Sequence, residues 1–155
     1  MKSKASDRVL FPGSFNPFTI GHKDIVDRAL GLFGEVIIAI GVNISKPDAR
    51  AQAEARAEVI RRYFPQDAPV RVLCYHGLTT DLARQTGASA LLRGVRSVRD
   101  FEYERDMAEV NRQLSGLETV LLFSNPRYAA VSSSVVRELQ AFGQDITEFI
   151  PTPVR

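Results

Sequence analysis

The chain alternates between two hydrophobic periods, and that alternation leaves few folds open. Apolar, strand-like runs cover Arg8–Pro12, Glu35–Val42, Val70–Tyr75, Ala90–Arg93 and Thr119–Phe123. Between them the spacing turns helical. Ile25, Val26, Ala29, Leu30 and Phe33 recur on one face, as do Tyr103, Met107, Val110 and Leu114 later in the chain. Strands separated by helices cannot pair as hairpins. They pair in parallel, through right-handed crossovers that lay helices on both faces of the sheet. The expectation is a three-layer α/β sandwich built as one domain over residues 1–155. A chain of 155 residues with 45% hydrophobic side chains can bury one core of that kind.

Composition removes several classes of function. Twenty Lys and Arg nearly cancel 18 Asp and Glu, giving a net charge of +2. A dedicated nucleic-acid binder would carry a basic excess, so no nucleic-acid partner is expected. A single cysteine, Cys74, follows the apolar run from Val70 to Leu73. It excludes an internal disulfide and fits a reducing compartment as a buried strand thiol. The first seven residues start basic but lead into no long apolar core, so no secretory leader is expected. No apolar stretch approaches membrane-spanning length. The expected setting is cytoplasmic, without a membrane partner.

Open α/β sheets bind ligands beyond the carboxyl ends of their strands, so the segments just after the strands carry the chemistry. The first is Pro12-Gly13-Ser14-Phe15-Asn16-Pro17-Phe18-Thr19-Ile20-Gly21-His22. Gly13 permits a close backbone approach, Ser14 supplies a hydroxyl, and Thr19 is suited to cap a helix whose first turn holds Gly21 and His22. A helix start attracts phosphate through unpaired N–H groups, and an imidazole there adds a donor. The second segment runs from Leu91 through Arg93-Gly94-Val95-Arg96 to Asp100-Phe101-Glu102-Tyr103-Glu104. It is read as a strand ending in Arg93, a turn at Gly94, and a second guanidinium at Arg96, so that two arginines can grip two phosphates. The third is Tyr128-Ala129-Ala130-Val131-Ser132-Ser133-Ser134, three serines opening a helix, one as its cap and the others as anion donors. Lys46 follows the second strand and belongs near the same crevice. His76 is read as a loop residue.

Walker A and G-x-G-x-x-G loops are missing after the first strand, and no Cys/His/carboxylate set has zinc spacing, so no protein-held metal is expected. A site rich in phosphate donors and poor in proton-transfer groups suits transfer between reactants that need no strong base.

Thr19-Ile20-Gly21-His22 matches the T/H-x-G-H signature of the nucleotidyltransferase superfamily, and the serine segment with Arg137 matches its x-S-S-S/T-x-x-R/K signature. The run from Arg93-Gly94-Val95-Arg96 to Asp100-Phe101-Glu102-Tyr103-Glu104, with Phe11-Pro12-Gly13-Ser14-Phe15-Asn16-Pro17, resembles the bacterial phosphopantetheine adenylyltransferase family. The resemblance implies a three-layer Rossmann-like dinucleotide-binding fold with a five-stranded parallel sheet. It also implies transfer of AMP from ATP to 4′-phosphopantetheine, giving dephospho-coenzyme A and pyrophosphate. By the same resemblance His22, Lys46 and Arg96 are catalytic. Ser14, Lys46, Thr79 and Arg93 bind the acceptor. Ser14, Phe15, His22, Gly94, Val95, Arg96, Glu104 and Tyr128, Ala129, Ala130, Val131, Ser132, Ser133 and Ser134 hold ATP. Mg2+ would be held mainly through the ATP phosphates, and the assembly would be a homo-oligomer, a hexamer. One difference from the family stands out: Pro47-Asp48-Ala49-Arg50-Ala51-Gln52 follows Lys46 where members often carry a Lys-x-Met-Phe-like segment.

Two other readings remain open on the residues alone. One is a sister nucleotidyltransferase acting on nicotinamide mononucleotide, a pyrophosphorylated alcohol or a phosphosugar. The other is a nucleotide-sensing module without catalysis, which would have no need to keep His22, Lys46, Arg93 and Arg96 together.

Overall fold

The computed structural model describes residues 7–155; residues 1–6, most of the stretch read for a leader, lie outside the described residues. Five strands, β1 (Arg8–Gly13), β2 (Glu35–Gly41), β3 (Val70–Tyr75), β4 (Ala90–Val95) and β5 (Glu118–Phe123), form a single sheet. Its order is β3-β2-β1-β4-β5 and every pairing is parallel. Between the strands run the helices α1 (Ile20–Ala29), α2 (Ala49–Arg61), α3 (Thr79–Thr86) and α4 (Val98–Ser115), and α5 (Ser133–Ala141) follows β5. Chain order and sheet order first part company between β1 and β4. A crevice opens there beyond the strand ends.

Strand alternation sorts the core into two clusters. Val9 and Phe11 of β1, with Val36, Ile38 and Ile40 of β2, point to the cluster that α1 and α2 cover with Ile25, Val26, Ala29, Ala53, Ala57 and Ile60. Leu10, Ile37, Ala39 and Leu91 point to the opposite, smaller cluster, which takes Ala83 from α3. Unbroken apolar runs in β1 and β2 are therefore the signature of strands buried on both faces.

Two sequence expectations need correction. β4 does not end at Arg93; it runs through Gly94 to Val95. Gly94 is thus a strand residue rather than a turn, and a Cβ there would meet Ile25 of α1 at 3.4 Å, so the glycine lets helix and strand close up. Phe33 lies past the end of α1, yet it still packs on the larger cluster. The row Tyr103, Met107, Val110 and Leu114 on α4 is exposed, up to 62% at Tyr103, while Glu104 is the buried residue of that helix. That apolar row does not cover this chain's own sheet.

Ile38 is fully buried at the centre of the larger cluster. Ile38→Ala should lower the unfolding free energy by about 2–5 kcal/mol in a urea titration. Val59→Ala, on the exposed side of α2, should stay within about 0.5 kcal/mol of the parent.

Candidate active site

The crevice holds a cleft of about 400 Å³, within the range of small-molecule sites. Its walls come from the ends of β1 and β4, the first turn of α1, and the start of α5. A second cavity of about 210 Å³ adjoins it and reaches Tyr75, Thr79, Met107, Asn111 and Thr119. Pro12, Gly13, Arg93, Tyr103 and Glu104 line both.

His22 is fixed by the helix it begins. Thr19 caps α1, and its backbone N–H donates to His22 Nδ1 at 3.0 Å, so the histidine fills the capping-box place usually held by Glu or Gln. Since Nδ1 accepts a hydrogen bond, a neutral ring carries its proton on Nε2. Phe15 and Phe18 pack against the imidazole with ring centres 5.0 and 5.3 Å away, and Phe11 lies at 6.3 Å. Burial in this collar, then the positive charges of Arg93 and Arg96, lower the His22 pKa from 6.5 to about 4. At neutral pH the group is an uncharged Nε2–H donor on the cleft wall.

The collar explains the strange backbone before it. Phe15 adopts φ 47°, in the left-handed region that few non-glycine residues occupy. Its ring lies under Gly13, where a Cβ would come within 3.0 Å of it. Phe15 lines the cleft, but with 3% of its surface exposed its ring is turned into the core.

Arg93 is held between two partners. Its Nε donates to both carboxylate oxygens of Glu104 at 2.9 and 3.0 Å, Nη2 lies 2.8 Å from Oε1, and Nη1 donates to the Pro12 carbonyl. Arg96 is looser, with Nε 3.5 Å from Asp100 Oδ2, while its backbone N–H donates to the same oxygen at 3.1 Å. Asp100 receives its position from Ser97, whose hydroxyl caps α4 by accepting the Asp100 N–H.

The three serines divide their work. Ser132 caps α5 by accepting the Val135 N–H, Ser133 donates to the Pro17 carbonyl at 2.8 Å, and Ser134 accepts from Arg137. Their hydroxyls therefore bind mostly within the protein, tying α5 to the loop before α1. The first-turn N–H groups of α5 remain as the anion donors of this wall. Arg137 adds a second tie by donating to the Asn16 carbonyl at 2.6 Å.

Ser14, Phe15, His22, Arg93, Gly94, Arg96, Glu104, Tyr128, Val131 and Ser132 through Ser134 thus come together around the cleft. Thr79 lines the second cavity, with its hydroxyl 2.8 Å from the Tyr75 hydroxyl. Lys46, Val95, Ala129 and Ala130 line neither. Val95 is buried in the core by the longer β4, and Lys46 belongs to an exposed turn whose N–H donates to the Asn43 carbonyl. Asp100 and Ser124 line the cleft without having been singled out as site residues. The Ser97-x-x-Asp100 spacing is the signal that could have found Asp100, since it pairs a cap with a first-turn acid next to Arg96.

The cytidylyltransferase-like family model matches residues 10–139. A phosphopantetheine adenylyltransferase of Porphyromonas gingivalis is 56% identical over 142 residues, covering 92% of each chain. Those of Bacteroides fragilis and Streptomyces coelicolor are 46% and 41% identical over 144 residues, each across 93% of this chain. This chain belongs to the phosphopantetheine adenylyltransferase family. The fold has wider company. A bifunctional NMN adenylyltransferase/ADP ribose pyrophosphatase of Francisella tularensis superposes on 94% of the chain with a TM-score of 0.69 at 16% identity, and the match spans 44% of that longer protein. A putative nicotinate-nucleotide adenylyltransferase from Vibrio parahaemolyticus superposes on 94% of the chain, and on 87% of its own, with a TM-score of 0.61 at 14% identity.

The His22 geometry has a pH consequence. Its pKa is lower in the folded chain than in the unfolded one, so the unfolded state takes up the proton first as pH falls. Stability linked to His22 is complete above about pH 6.5 and declines down to about pH 4. A nitrogen-15 NMR titration should find the ring neutral with its proton on Nε2 at pH 7 and a midpoint near 4. A midpoint near the ordinary value of about 6.5 would contradict the collar's effect.

Proposed function

We propose that the chain transfers the adenylyl group of ATP to 4′-phosphopantetheine, releasing pyrophosphate and forming dephospho-coenzyme A for coenzyme A synthesis. The carrying observation is the arrangement of two adjoining cavities, one ringed by anion donors and one smaller and less polar, which meet at Arg93. A nucleotide triphosphate suits the first. A phosphorylated molecule with an extended arm suits the second, with its phosphate at the junction. Relatives at 41–56% identity carry this activity in their name, which favours it over the sister reading with a nucleotide acceptor.

The chemistry follows from what the cleft contains. An oxygen of the acceptor phosphate attacks the α-phosphorus of ATP, the bond from that phosphorus to the β-bridging oxygen breaks, and pyrophosphate leaves with the electron pair. The attacking oxygen is already anionic, so no base has to remove a proton. What the site must supply is position and charge stabilisation. His22 donates from Nε2 to a non-bridging oxygen of the α-phosphate, and its neutrality lets it do so without trading protons. Arg96 and the α5 N-terminus receive the β- and γ-phosphates, while Ser14 and Arg93 receive the acceptor phosphate. Tyr128 flanks the nucleotide. Lys46 supplies a cation to the α-phosphate, beside the neutral His22 donor, when its exposed turn moves inward.

Magnesium belongs with the nucleotide. Asp100 and Glu104, the carboxylates lining the cleft, are engaged by Arg96 and Arg93, and no group of three His, Cys, Asp or Glu among the described residues could hold an ion. Nucleotide oxygens and water then supply the ligands, and the bound ion neutralises phosphate charge. The free thiol of Cys74 accords with a cytoplasmic setting. No helix among the described residues is long and apolar enough to cross a membrane.

The exposed row on α4 supports a homo-oligomer, which we take to be a hexamer. Tyr103, Met107, Val110 and Leu114 share one face of α4 and are all exposed, more apolar surface than a helix of a lone chain usually presents. Light scattering should give a mass of roughly six times one chain, a closed assembly of the kind point-group symmetry allows. Leu114→Glu should split it, and a monomeric parent would refute the assembly.

Pyrophosphate release from ATP and magnesium should occur with 4′-phosphopantetheine and fail with nicotinamide mononucleotide. His22→Ala should lower turnover by about 10²–10³, with ATP affinity changing far less. Release with nicotinamide mononucleotide alone would overturn the assignment.

A further inference from the structure

Glu104 is the buried charged residue of the described chain, and it has been grouped above with the nucleotide. Its surroundings point elsewhere. Both carboxylate oxygens accept from Arg93 Nε, and Oε1 also faces Nη2. Arg93 in turn donates from Nη1 to the Pro12 carbonyl of β1. A guanidinium has five N–H groups in a rigid fork. Glu104 and Pro12 engage Nε, one N–H of Nη1 and at most one of Nη2. An N–H remains on each terminal nitrogen, available to the oxygens of a phosphate.

We propose that Glu104 is a positioning residue for the acceptor's phosphate, acting through Arg93. The inference rests on the functional reading above and deepens it. Arg93 is one-third exposed on its side chain, Glu104 hardly at all. The carboxylate is therefore the fixed member of the pair and the guanidinium the member turned to the ligand. Fixing comes from three elements: β4 carries Arg93, α4 carries Glu104, and β1 provides the carbonyl. Because Arg93 and Glu104 line both cavities, the pair also forms their shared wall. Without the carboxylate the arginine keeps one anchor, Pro12, and its fork is free to rotate away from the junction. Glutamine is not a neutral replacement, since its amide N–H groups would face the N–H groups of Arg93.

Calorimetry of the full chain with three separate ligands tests this: 4′-phosphopantetheine, pantetheine, which lacks the phosphate, and ATP. Glu104→Gln should weaken 4′-phosphopantetheine binding by about 10- to 100-fold, the size of a lost hydrogen bond to a charged group. Pantetheine and ATP should each change by less than about threefold, a difference below the one-decade step. In an Arg93→Ala background, adding Glu104→Gln should cost almost nothing further, because its route of action is gone. Glu104→Asp, which keeps the charge but draws it back from Arg93, should show the same ligand order with a smaller loss. It also serves if Glu104→Gln does not fold.

Equal weakening of pantetheine and 4′-phosphopantetheine would make Glu104 a packing residue and overturn the proposal. So would a loss confined to ATP, or a full effect of Glu104→Gln in the Arg93→Ala background. A parent protein that binds no 4′-phosphopantetheine would instead defeat the functional reading itself.

Discussion

Arg93 links the two halves of the molecule at the place where they part. β1 and β4 are neighbours in the sheet but far apart in the chain, and beyond their paired residues the strand ends diverge. The Arg93 guanidinium crosses that gap, donating to Pro12 on one side and to Glu104 on the other. A buried carboxylate left alone there would be strongly destabilising, and a lone guanidinium would be mobile. Together they make a rigid wall between two cavities, and the loop from Pro12 to Thr19 is set against it. The anion donors of the cleft can converge because this wall does not move.

The second constraint is that His22 must be a donor without being an acid. Its helix cap directs Nδ1 inward to the Thr19 N–H, while the aromatic collar and nearby arginines disfavour a second proton. Backbone cost is accepted to build this: Phe15 adopts a left-handed conformation so that its ring can pack beneath Gly13 and beside the imidazole. Strained backbone of this kind persists where the surrounding packing overdetermines it. Arg137 and Ser133 hold the same loop from α5 by bonding to Asn16 and Pro17.

The sheet was legible because β1 and β2 are buried on both faces and have no polar alternation to confuse the period. The cap at Thr19 and the cap among the serines were legible for a similar reason, since capping depends on residues adjacent in the chain. Gly94 was misread because a glycine beside an arginine reads as a turn, whereas its function is to let Ile25 approach across the sheet face. The apolar face of α4 was legible from its helical period, but periodicity does not reveal what covers such a face. The Arg93–Glu104 pair joins residues eleven apart whose meeting depends on how α4 lies against β4. Spacing alone could not show it. Lys46 follows β2 as strand order requires, but in an exposed turn that lines neither cavity.

The central claim is that the acceptor phosphate attacks the α-phosphorus of ATP at this cleft. Fate of label decides it most directly. With 4′-phosphopantetheine as acceptor, phosphorus label at the α-position of ATP should appear entirely in dephospho-coenzyme A, and label at the γ-position entirely in pyrophosphate. Gamma label transferred to the acceptor, or alpha label left in free AMP or ADP, would contradict the account.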